Sequence, residues 1–98
     1  MSMSVIVTHN APSRVRGFLA SIMLEVSYGV YCGPRISPSV RARIWAVMED
    51  WFRSEDGASV VMIWSETSTP GGQSVRTLGT PPISMVEVDG LVLAQRGR

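Results

Sequence analysis

One cysteine, one histidine and no lysine occur among the 98 residues. A single thiol excludes an internal disulfide and any zinc site built from several cysteines. Cys32 lies in an apolar run and reads as a small buried hydrophobe. Without lysine, all nine cations are arginine, whose planar fork can grip a phosphate bidentately. No apolar stretch approaches the ~20 residues of a bilayer span. The opening Met1-Ser2-Met3-Ser4-Val5-Ile6-Val7 lacks the charged and long apolar regions of a signal peptide, so a cytoplasmic protein without membrane contact is expected. Acid is scarce too, and unevenly so. None precedes Glu25, and residues 1–43 carry five arginines against that one acid. The remaining residues carry four arginines against seven acids, so a net charge of +1 hides a basic first half. Such asymmetry points to a polyanion on one face.

What is present is an amphipathic chain with 45 % hydrophobic residues, enough for one folded domain. Met3 to Thr8 reads as a strand. Asn10 is placed to cap a following helix, with Pro12 tolerated in its first turn. Val15, Phe18, Leu19, Ile22, Met23 and Val26 follow the spacing of one buried helical face. Tyr28-Gly29-Val30-Tyr31-Cys32-Gly33 suggests a short strand bracketed by two glycine turns. Ser37-Pro38 is a strong helix start, with Val40, Ile44, Val47, Met48 and Trp51 as the buried stripe, widened by Trp45 and Phe52. Glu49 and Arg53 make an i, i+4 pair, and Gly57 reads as the stop.

Ser59 to Trp64 is a continuous apolar run, expected as a central strand covered on both faces. Thr67 to Gln73 is a loop, Val75 to Leu78 a strand, and Thr80-Pro81-Pro82 a break. Asp89-Gly90 between two apolar runs signals a hairpin. The order is strand, helix, strand, helix, strand, strand, hairpin. It predicts an α+β fold, a ferredoxin-like two-layer sandwich with a C-terminal β-hairpin extension. Residues 1–79 would form the core and 80–98 the extension, in a single domain.

The chemistry concentrates at Thr8-His9-Asn10-Ala11-Pro12-Ser13-Arg14-Val15-Arg16. A helix N-terminus presents unpaired N–H groups and the positive end of the peptide dipole. Arg14 and Arg16 fall on opposite flanks of the buried face and can straddle an anion there. Arg41 and Arg43 decorate the second helix. Trp45, Trp51 and Trp64 fall in apolar stripes and read as core, whereas Tyr28 and Tyr31 suit a dimer interface.

Taken in order, Val5-Ile6-Val7-Thr8, Asn10, Pro12, Arg14, Arg16, Gly17, Leu24-Glu25-Val26, Gly29-Val30-Tyr31 and Gly33 resemble the CRISPR adaptation protein family Cas-two, in its I-E form. Ile44-Trp45, Val60-Val61-Met62, Thr77, Gly79, Val86 and Asp89-Gly90-Leu91 extend the resemblance over nearly the whole chain. It implies a ferredoxin-like homodimer held between dimers of the integrase Cas-one. That dimer is a non-catalytic scaffold lying along double-stranded protospacer DNA during spacer acquisition. DNA contacts fall on Arg14 and Arg16, with Asn10 beside them. The segment from Val86 to Arg98, with Val86, Val88, Leu91 and Leu93, becomes the docking element for Cas-one.

Two departures from the family bear on function. Many relatives carry an acid after the first strand, to which metal-dependent nuclease activity is ascribed. This chain has His9 there. A lone histidine supplies neither the oxygen ligands Mg²⁺ needs nor a partner to orient itself. No catalytic residue, metal or cofactor is therefore expected, and a Mg²⁺-dependent endonuclease is the alternative. Relatives of the I-E form also carry arginines before the hairpin. Here the stretch is Pro81-Pro82-Ile83, and Arg76 is the candidate to replace them. A regulatory domain binding a small ligand is a third reading, but no glycine-rich loop beside a polar pocket supports it.

Overall fold

The computed structural model describes residues 2–52, 57–79, 84–88 and 91–95; for the last two stretches only the backbone is described, apart from Leu93. Its elements are β1 (Ser2–His9), α1 (Ser13–Ile22), β2 (Leu24–Ser27), β3 (Val30–Ile36), α2 (Pro38–Phe52), β4 (Ser59–Ser65), β5 (Gln73–Gly79), β6 (Ser84–Val88) and β7 (Leu91–Gln95). The strands β2-β3-β1-β4-β5 form one antiparallel sheet in that order, and β6 pairs with β7 separately. Each helix connects two strands that are separated in the sheet by a third. This split arrangement is the ferredoxin-like α+β sandwich, extended by β5 at the β4 edge.

Alternation along the strands decides which face the helices cover. Ile6, Tyr31, Val60 and Met62 point to the helix side and are buried there with Val15, Leu19, Ile44, Trp45, Met48 and Phe52. Burying each such side chain contributes roughly 1.5–3 kcal/mol. The opposite face carries Met3, Val5 and Val7 of β1, with Ile63 and Val61 of β4 in register beside Val5 and Val7. Met3 and Val7 are exposed, and Val61 and Ile63 half-buried. The β4 run is thus central, but the described residues cover only one of its faces, where two were expected.

Three sequence expectations are corrected. The first helix stops at Ile22 rather than running to Val26. Met23 turns extended (φ −138°, ψ 163°) while its N–H still donates to the Leu19 carbonyl at 2.8 Å. The periodicity holds through Met23, which is buried, but Ile22 is exposed and Val26 lies exposed on an edge strand. Here backbone pairing with β3 outweighs the apolar spacing, and it adds a strand the sequence reading lacked. Gly33 does not end its strand either. β3 continues to Ile36 through a bulge, where Pro34, with no N–H to donate, escapes the ladder. In α2 the stripe is Ile44, Trp45, Met48 and Phe52, and Val40 faces solvent.

Ser37 caps α2 as expected, its Oγ accepting the Val40 N–H at 3.2 Å. Gly57 has φ +74°. Arg53 of the Glu49–Arg53 pair, the break at 80–83, the Asp89–Gly90 turn and the terminal arginines lie outside the described residues. Among the described residues, no helix is long and apolar enough to cross a membrane.

Candidate nucleic-acid interface

The β1–α1 junction is built from an unusual turn. Asn10 adopts the left-handed conformation, φ 55°, and its Nδ2 donates to the Gly57 carbonyl at 3.2 Å. It therefore ties β1 to the approach to β4 and does not cap α1. The N-cap position belongs to Pro12, which offers no side-chain hydrogen bond. The Pro12 carbonyl accepts the N–H groups of Val15 and Arg16 at 3.0 and 3.2 Å. The N–H groups of Ser13 and Arg14 have no backbone partner among the described residues. No acid lies in the first turn of α1.

From this turn the two arginines diverge, as their opposite flanks require. The Arg14 guanidinium sits over the Trp51 ring near the end of α2, 5.2 Å from its centroid. Trp51 is in turn held edge-on by Phe18, with ring centroids 5.4 Å apart. Arg16 leans the other way, over Tyr28 in the β2–β3 turn, at 4.6 Å. Both distances are within the ~6 Å at which a cation is attracted to a ring face. Two guanidinium groups with aromatic support beside an acid-free helix turn can donate to phosphate oxygens.

Beneath Arg16 lies Tyr31, fully buried, with its hydroxyl unpaired. Burial raises the Tyr31 phenol above its ordinary value, and Glu25 adds to this while Arg16 opposes it. The Glu25 carboxylate accepts the Gly29 N–H at 3.0 Å. The Gly29 carbonyl accepts both the N–H and the Oγ1 of Thr8, at 2.8 and 3.0 Å. The β2–β3 turn is thus fastened to the end of β1.

Arg76 lies elsewhere. It is paired with Met62 on the helix side and lines a cleft with Pro38, Arg41, Ala42, Trp45 and Trp64. Arg41 stacks on Trp64 at 4.4 Å, and the Trp64 Nε1–H donates to Glu66 at 3.1 Å. That bond, with one from Ser68, holds the half-buried Glu66 carboxyl below its usual range. Arg41 and Trp51 are ten residues apart on α2, about 15 Å at the helical rise. The structure therefore brings Arg76 to Arg41, and not to Arg14 and Arg16. His9 ends β1, exposed and paired with Ser59. Among the described residues, no three of histidine, cysteine, aspartate and glutamate group to hold a metal.

In the terminal hairpin Val86 pairs with Leu93, and Val88 with Leu91. Leu93 is exposed, and β7 lies beside β5. Residues 3–93 match the family model described as CRISPR-associated protein (Cas_Cas2CT1978). The chain belongs to this Cas-two family. The match takes in the β1–α1 junction, both helices and the hairpin as far as Leu93.

The aromatic partners of the arginines are not signalled in the sequence. Trp51 and Trp64 were expected as core. They are half-buried, and each presents a ring to a guanidinium. Tyr28 and Tyr31, expected together at an interface, separate: Tyr31 is core and Tyr28 is a solvent-exposed shelf. These contacts join different elements, so no spacing along the chain announces them.

Proposed function

We propose that this Cas-two chain is a non-catalytic scaffold subunit of a spacer-acquisition complex of the I-E kind, working in the cytoplasm. Two copies pair, and the pair lies along duplex DNA and holds its backbone. The observation that carries this reading is the arginine pair. Arg14 and Arg16 leave one acid-free helix turn in opposite directions, and each rests on an aromatic ring. Contacts of this type fix register on a duplex and read no base sequence. Asn10 shapes the junction, and Arg76 with Arg41 supplies a second cationic station farther along α2.

The apolar open face of the sheet supports pairing. Met3, Val5, Val7, Val61 and Ile63 form a surface that a small domain gains by covering. The terminal hairpin, 80–98, is assigned to docking on the integrase Cas-one by β-strand addition. A metal-dependent endonuclease is the competing reading. It would need carboxylate ligands for Mg²⁺ near the end of β1, where this chain carries His9.

The test is binding of the Arg14→Ala, Arg16→Ala double variant to two duplexes of unrelated sequence. Affinity should fall for both alike. Unchanged binding would remove the basis of the proposal. Sedimentation at micromolar concentration should show a dimer, and a monomer alone would contradict the pairing.

A further inference from the structure

We infer that Tyr28 is a positioning residue for the nucleic-acid site: its ring is a fixed shelf that orients the Arg16 guanidinium for a phosphate. The inference rests on the DNA-holding reading above and adds a residue to it. Tyr28 is 80 % exposed, the most exposed of the large hydrophobic side chains described. An aromatic so placed contributes almost nothing to the core. Its one described contact of note is with Arg16, whose Cζ is 4.6 Å from the ring centroid.

The shelf is anchored on both sides. Ser27 pairs with Val30 across the turn. Gly29, at φ +76°, is bonded through its N–H to Glu25 and through its carbonyl to Thr8. The ring therefore hangs from backbone tied to both β1 and β2. The Arg16 Nε is itself buried, which narrows the rotamers open to the side chain. A free arginine loses much rotamer freedom when it grips an anion. One already laid on a ring loses less, so the shelf raises affinity without touching DNA. Arg14 has a comparable support in Trp51, but that ring is packed against Phe18 and the core and has a structural duty besides. Tyr28 has none, which makes it the cleaner test.

The experiment uses the full chain and a blunt mixed-sequence duplex. Tyr28→Ala should weaken binding by about two- to five-fold, the range for an exposed cation–π contact. Tyr28→Phe, which keeps the ring, should restore native affinity. In an Arg16→Ala background, Tyr28→Ala should have no further effect. In the DNA-free protein, the Arg16 Nε–Hε resonance should shift in Tyr28→Ala and stay in place in Tyr28→Phe. Equal losses from Tyr28→Ala with and without Arg16 would overturn the inference, since Tyr28 would then act on DNA or on the fold directly. So would an unmoved resonance. If Arg16→Ala binds like the native chain while the resonance still responds to Tyr28→Ala, the DNA reading of Arg16 has failed. The positioning role falls with it, although the contact itself is real.

Discussion

Replacing Gly29 by alanine probes the turn that carries Tyr28 and, with it, the proposed interface. Gly29 sits at φ +76°, where a Cβ costs about 1–2 kcal/mol. Gly57 sits at φ +74° with open space where its Cβ would go. At Gly29 the added Cβ would lie 3.0 Å from the Thr8 Oγ1 and 3.1 Å from the Thr8 carbonyl oxygen. Thr8 is already bonded within this turn through its Oγ1 and its N–H. Relieving the contact means stretching one of those bonds, and a weakened internal hydrogen bond costs about 1 kcal/mol. Gly57→Ala should thus cost about 1–2 kcal/mol, and Gly29→Ala about 2–3 kcal/mol. For a domain of this size, each kcal/mol lowers Tm by about 4–8 °C. Urea and thermal unfolding of both variants should be compared at one protomer concentration, because the proposed pairing would make stability concentration-dependent. A Gly29→Ala variant no less stable than Gly57→Ala would refute the account of the Thr8–Gly29–Glu25 clamp.

Tyr31→Phe should be neutral or stabilising by up to about 1 kcal/mol at pH 7, since it removes a buried unpaired hydroxyl. Because the native phenol is raised, the unfolded chain ionises first, so native stability should decline as pH rises past about 10. Unfolding curves between pH 8 and about 11 should show that this decline is shallower in Tyr31→Phe. Asn10→Gly should be tolerated better than Asn10→Ala. Both lose the bond to Gly57, but only alanine also meets strain at φ 55°, so calorimetry should separate them by about 1 kcal/mol. Deleting residues 80–98 should leave a folded chain by circular dichroism that no longer co-purifies with Cas-one. A folded truncation that still binds would remove the docking assignment.

Much of the fold is legible because it rests on local signals. The β-branched run of β1, the Ser37-Pro38 start of α2 and the uninterrupted apolar β4 each carry their own cue. The ferredoxin-like order follows from them. The β2–β3 hairpin escapes the sequence because Met23 continues the helical spacing by one more buried residue. Only the sheet edge offered by β3 makes Leu24–Ser27 extended. The site divides in the same way. Arg14 and Arg16 are visible as cations beside an acid-free helix start. Their rings are contributed from 37 and 12 residues away, by α2 and by the β2–β3 turn, and only the folded chain brings them in. Asn10 shows the limit of a local rule. It has the chemistry of a cap, but its amide is used across the fold by Gly57.

The salt dependence of duplex binding tests the central claim most directly. Removing one cation that neutralises a phosphate lowers the slope of log K against log salt by about 0.9 on B-form DNA. If Arg14 and Arg16 each hold one phosphate, a two-fold dimer of the Arg14→Ala, Arg16→Ala variant should have a slope smaller by about 3.6. A variant that binds duplex DNA with the native affinity and the native slope would contradict the account.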